Sequence, residues 1–147
     1  MNTMSSEDTV NRIMTAPVKT IDAHETLGSA AETMVMNEIG AVVVVENNKP
    51  IGIITERDIV KHAVGAGDLL KKPTKELFAK NIITVGPRTT IQDAFATMLK
   101  HKIRRLPVVD ENKLVGIVTE KDLMRWALRV CYEPNLPPHI KAILEPC

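Results

Sequence analysis

A chain of 147 residues is long enough for one ordinary domain with a real core, whereas either half alone would be marginal. Nineteen basic and 18 acidic side chains leave a formal charge of +1, so bulk electrostatics predict neither a nucleic-acid footprint nor a strong membrane attraction. No apolar run approaches the roughly 20 residues of a spanning helix, residues 1–8 lack a basic flank followed by an apolar stretch, and Cys131 and Cys147 are too few for a disulfide framework. The expectation is a cytoplasmic protein with no membrane role.

Residues 1–9 read as a polar tail. The apolar piece Pro17 to Ile21 predicts a short strand, and Leu27, Ala30, Ala31, Met34 and Val35 fall on one stripe of a helix. Two β-branched runs follow, Ala41 to Val45 and Ile51 to Thr55, separated by Glu46 to Lys49 as a hairpin turn. A second helix is expected over Glu56 to Val64. Residues 65–73 read as a linker, and their Gly65-Ala66-Gly67 reads as a helix stop and not a phosphate loop, because a third glycine and a preceding strand are both missing.

The same order of signals then returns. Asn81 to Val85 predicts a strand, and Ile91, Ala94, Phe95, Met98 and Leu99 repeat the helical stripe. Thr89 and Gln92 form a capping-box pattern ahead of it. Leu106 to Val109 and Leu114 to Thr119 predict a hairpin turning at Asp110 to Lys113, and Glu120 to Val130 a closing helix. The proline-rich residues 132–147 read as an extended tail.

This is a duplication. Ile13 to Val60 re-reads without a gap as Leu77 to Met124, 64 positions later, with about 15 of 48 paired positions identical. Both copies close on one phrase: Gly52-Ile53-Ile54-Thr55-Glu56-Arg57-Asp58 becomes Gly116-Ile117-Val118-Thr119-Glu120-Lys121-Asp122.

In each Thr-x-x-Asp, a strand ends in Thr and a helix begins with Asp at its third position, which makes a sound cap. A helix N-terminus also favours anions, so a phosphate could sit beside Thr55 or Thr119 while Asp58 or Asp122 accepts ribose hydroxyls. Gly52 and Gly116 are read mainly as sites of close packing. The second copy adds the basic run Lys100-His101-Lys102-Ile103-Arg104-Arg105, whose last two residues match Gly40 and Ala41. As a solvated helix end the run would suit the dipole, and as a ligand site its guanidinium groups would suit phosphate. The two sites should therefore differ, with Asp122→Ala expected to weaken binding more than Asp58→Ala.

With Ile13-Met14-Thr15-x-x-Val18-x-Thr20, Leu106-Pro107-Val108-Val109-Asp110 and the twofold Gly-x-x-Thr-x-x-Asp, each copy resembles a CBS domain, and the pair resembles a Bateman module over residues 10 to 130. The resemblance implies an α/β fold of α+β character: tandem CBS domains, residues 10–64 and 74–131, related by a pseudo-two-fold axis, each a small β-sheet flanked by two helices. It implies a regulatory module that holds AMP, ADP, ATP or S-adenosylmethionine between paired domains, forms a homodimer and informs a regulated protein. By the same resemblance, Arg104 and Arg105 match a phosphate-contacting His-Arg-Leu-Pro pattern of the AMP-activated kinase gamma subunit. Adenine would rest on Ile39, Ile103 and Pro107 with main-chain bonds near Thr20 and Thr84.

The residues point away from catalysis and from a resident cofactor. No Ser, Cys or Lys nucleophile recurs with a partner base, and His24, His62, His101 and His139 are scattered without metal-ligand spacing. The leading reading is an adenine-nucleotide sensor for AMP, ADP or ATP. The alternatives are a ligand-free dimerisation or interaction module, S-adenosylmethionine binding, and, weakest given the near-neutral charge, nucleic-acid binding through Lys71, Lys72, Lys75, Lys80 and the basic run.

Overall fold

A computed structural model of the chain describes residues 8–63, 71–75, 82–132 and 138. The Gly65-Ala66-Gly67 stop, Lys80 and the tail from 133 onward, residue 138 apart, lie outside the described residues, as do the side chains of His62 and Cys131.

The first unit runs β1 (Thr20–Asp22), α1 (Leu27–Asn37), β2 (Ala41–Glu46), β3 (Lys49–Thr55) and α2 (Glu56–Ala63). The second runs α3 (Ile91–His101), β4 (Arg105–Asp110), β5 (Lys113–Thr119) and α4 (Glu120–Tyr132). β2 pairs antiparallel with β3, and β1 adds to β2 in parallel, giving three strands in the order β1-β2-β3. In the second unit β4 pairs antiparallel with β5. The strand expected over residues 81–85 contracts to one parallel bridge between Val85 and Val108, held by Val85 N–H to Pro107 O at 3.0 Å and Val109 N–H to Val85 O at 2.8 Å. The α+β architecture expected from the repeat is present in both units.

Local chemistry sets the element ends. The Thr26 hydroxyl accepts the Ser29 N–H at 3.1 Å, and the Thr90 hydroxyl accepts the Asp93 N–H at 3.1 Å, which starts α1 and α3. The cap of α3 is thus Thr90 and not Thr89. Thr89 instead closes the turn before it, accepting the Gly86 N–H at 3.0 Å, and Gln92 leaves a buried Oε1 without a partner in place of a capping box. Glu38 and Lys102 end these helices in left-handed geometry (φ 53° and 55°), so the amides of Ile39 and Ile103 turn back onto Met34 O and Met98 O, both at 3.0 Å. Both hairpins turn through two left-handed residues, Asn47-Asn48 and Glu111-Asn112, whose backbone matches the twist of the flanking strands.

Two cores result. Ile21, Leu27, Ala30, Met34, Val42, Val44 and Ile54 are buried in one, and Ile91, Ala94, Met98, Leu106, Val108, Val118 and Leu123 in the other. The segments leading into each unit are exchanged. Val10, near the start of the chain, is buried in the second core, where its N–H bonds Thr89 O at 2.9 Å, and Thr15 bridges Ile117. Reciprocally, buried Thr74, 64 positions after Val10, bonds Glu25 O through its N–H at 2.7 Å and Asp22 O and Ala23 O through its hydroxyl. The matched bridges Thr9–Thr90 and Thr26–Pro73 obey the same 64-residue offset. Each unit is therefore completed by the segment that opens the other, which ties the halves together. Among the described residues, no helix is long and apolar enough to cross a membrane.

Candidate functional site

The two Thr-x-x-Asp turns fold identically. Asp58 Oδ2 accepts both the Thr55 N–H and the Thr55 hydroxyl at 2.9 Å, while the Thr55 oxygen accepts the Asp58 N–H at 3.3 Å. In the second copy the corresponding distances between Thr119 and Asp122 are 2.9, 3.0 and 3.3 Å. This reciprocal cap fixes each carboxylate at a strand-to-helix junction and leaves Oδ1 outside it. It also uses amides that a phosphate would otherwise meet: Glu56 N–H goes to Gly40 O at 3.0 Å and Asp58 N–H to Thr55. A phosphate beside Thr55 therefore depends on side-chain cations more than the expectation of free helix amides assumed.

Such cations are supplied from the other copy. A cleft of about 650 Å³ is bounded on one side by Gly40, Gly52, Ile53, Thr55, Glu56, Arg57 and Asp58, and on the other by Ile82, Ile83, Lys102, Ile103, Arg104 and Arg105. That volume lies in the ordinary range for small-molecule sites. Apolar Ile53, Ile82, Ile83 and Ile103 give it a wall against which a flat ring can lie, and four cations outnumber the carboxylates of Glu56 and Asp58. Arg104 is loosely tethered, with its Nε 3.7 Å from Glu120 Oε2 and its side chain 81% exposed. Arg105 is half-buried, and its guanidinium reaches the space that Gly40 leaves by lacking a side chain, beside the Glu56 carboxylate.

Five of the expected ligand residues meet here: Thr55, Asp58, Ile103, Arg104 and Arg105. Arg104 and Arg105 line this cleft together with Asp58 of the other copy, where the expected pairing was with Asp122. Thr119 and Asp122 lie outside this cleft, in the second copy's own junction. Ile39 packs against the first core and Pro107 is buried within β4, and neither is among the residues that line this cleft. Thr20 and Thr84 are exposed and are not among the lining residues. Ile82 and Ile83, two to one positions before Thr84, take the place expected around it. Sequence reasoning missed Arg57, Lys102 and Gly40 as lining residues, although Lys102 stood in the basic run.

Gly116 has the packing role expected of it. A Cβ there would stand 2.9 Å from Met14 Cγ, so the thioether chain of the exchanged segment lies directly on the glycine. Among the described residues no group of three or more His, Cys, Asp or Glu side chains is placed to hold a metal ion.

The sequence model described as CBS domain matches residues 10–65 and 75–129. The CBS domain-containing protein YhcV of Bacillus subtilis is 37% identical over 114 residues, covering 78% of this chain and 81% of that protein. Hypoxic response protein 1 of Mycobacterium tuberculosis is 37% identical over 145 residues, 94% of this chain and 95% of that protein. A crystal structure of Hypoxic Response Protein I with two coordinated zinc ions superposes with a TM-score of 0.71 at 38% identity, over 80% of this chain and 98% of that one. The CBS domain pair of protein MJ0100, in complex with 5'-methylthioadenosine and S-adenosyl-L-methionine, superposes with a TM-score of 0.72 at 30% identity, over 81% of this chain and 94% of that one.

Proposed function

The chain belongs to the CBS domain family as a tandem pair, and from that premise we propose that it is a ligand sensor, binding AMP, ADP or ATP in the Asp58 cleft and passing the bound state to a partner protein. One observation carries this reading: a single cleft brings a carboxylate from one copy against apolar and cationic side chains from the other. Asp58 Oδ1 has no hydrogen bond or ion pair among the described residues, so it is available to ribose hydroxyls. Arg104 and Arg105 line the same cleft and would take the phosphates, since charge-assisted, bidentate bonds are the strong kind. Because the ligand would touch both copies, its binding free energy bears on their relative arrangement, which is the requirement for a switch.

The complex of the MJ0100 pair with adenosyl ligands supports an adenine-containing occupant and keeps S-adenosylmethionine as a second reading. The charge of the cleft favours nucleotides, since a sulfonium cation would meet Arg57, Lys102, Arg104 and Arg105. The regulatory reading takes the chain as a non-enzyme, with the caps holding the acids as acceptors. A homodimer is part of the proposal. Val35 and Leu99 match across the repeat, as do Val60 and Met124, and all four are exposed on helices.

Thermal unfolding with AMP, ADP, ATP and S-adenosylmethionine tests the sensor reading. A ligand at a hundredfold excess over its dissociation constant stabilises by about 2.7 kcal/mol. A rise with a nucleotide supports the proposal; no rise with any of the four at millimolar concentration contradicts it, and a rise with S-adenosylmethionine alone favours the second reading.

A further inference from the structure

Resting on the nucleotide reading, we propose that each chain takes a single anionic ligand, in the Asp58 cleft, and that Asp122 retains only the structural half of the same cap. The two caps share every internal bond but differ in the oxygen left over. Asp122 Oδ1 lies 3.9 Å from Arg125 Nη1, one turn along α4, and the Asp122 side chain is only 9% exposed. The counterpart of Arg125 in the first copy is Lys61, and no ion pair joins it to Asp58 among the described residues. The first carboxylate therefore presents an oxygen to the cleft, while the second has already turned its own toward a neighbour on the same helix.

The cations are distributed in the same sense. Lys102, Arg104 and Arg105 line the Asp58 cleft. Their counterparts 64 positions earlier are Glu38, Gly40 and Ala41, which bring one carboxylate and no cation to the corresponding junction. An anionic ligand at Asp122 would thus find its ribose acceptor engaged by Arg125 and no cation at the positions matching Lys102, Arg104 and Arg105 to take its phosphates, both of which raise its dissociation constant. The duplication kept two caps for folding and one of them for ligand.

Calorimetric titration of the full chain with ADP decides the matter. The expected result is one equivalent per chain, affinity reduced about tenfold or more in Asp58→Asn, and affinity within a factor of three in Asp122→Asn, a substitution that keeps the shape of the cap. Thermal unfolding of each variant confirms that it is folded, and Asp122→Glu replaces Asp122→Asn if the amide does not fold. Two equivalents per chain, or equal losses in the two variants, overturn the single-site proposal while leaving the nucleotide reading intact. No binding of ADP, AMP or ATP to the wild-type chain overturns both.

Discussion

The guanidinium of Arg105 occupies the space beside Gly40: a Cβ on that glycine would sit 3.8 Å from Arg105 Nη2 and 3.8 Å from Glu56 Oε1. Gly40 and Arg104 are counterparts in the repeat. The copy with no side chain at this position thus makes room for the cationic side chain that the other copy delivers. The difference in charge between the copies becomes a single cleft with contributions from both.

Gly40→Leu fills that space. Arg105 must leave it, and the variant is expected to bind nucleotide about tenfold or more weakly, the worth of a lost charge-assisted hydrogen bond. Gly40 has no positive φ, so the backbone tolerates a side chain and the fold should persist. Titration paired with a melting curve checks this; unchanged affinity would remove Arg105 from the ligand site.

Gly116→Ala brings a methyl group into Met14, with Met14 Cγ 2.9 Å and Cε 3.2 Å from the new carbon. Overpacking of this kind costs about 1–3 kcal/mol. Met14→Ala in the same chain should recover part of the loss, because it removes the atoms in conflict. Denaturant unfolding of the two single variants and the double variant measures the coupling, and strictly additive losses would argue against the contact.

The matched caps predict matched costs. Thr55→Ala and Thr119→Ala each remove a hydroxyl that both donates to and accepts from its Asp, and each should lower stability by about 1 kcal/mol, a fall in Tm of roughly 2–4 °C. Only Thr55→Ala should also weaken nucleotide binding. A binding loss of equal size in both variants would be the contrary outcome.

Much of the fold was legible because it is written in short-range pattern. The stripe from Leu27 to Val35 and its repeat from Ile91 to Leu99 require only neighbours three and four residues apart, and Asn47-Asn48 needs only its own backbone preference. Sequence does not fix the cap of α3 to the residue, because Thr89 and Thr90 are both competent and the Gly86 turn claims the first. The exchange of Val10 and Thr74 was invisible: it depends on contacts between segments far apart in sequence, and nothing in Val10 itself says which core it enters. For the same reason sequence alone pairs the arginines with the acid of their own copy. The resemblance makes Pro107 a ligand wall, but in the fold it faces Ile117 across the β4–β5 pair and is buried.

The exposed apolar positions on the helices make a separate prediction. Val35→Glu together with Leu99→Glu places charge at two matched positions, 78% and 65% exposed, and should convert a homodimer to monomer without unfolding either core. Light scattering coupled to gel filtration gives the mass. A dimer that survives both substitutions would place its interface elsewhere.

In the proposed complex, ligand is held between the copies by Asp58 from one and the Arg104–Arg105 pair from the other. A crystal structure of the chain grown with ADP tests it most directly. The expected complex has the ribose on Asp58 Oδ1, the ring against Ile83 and Ile103, and the phosphates on Arg104 or Arg105. A nucleotide seated on Asp122 and away from the arginines would contradict it.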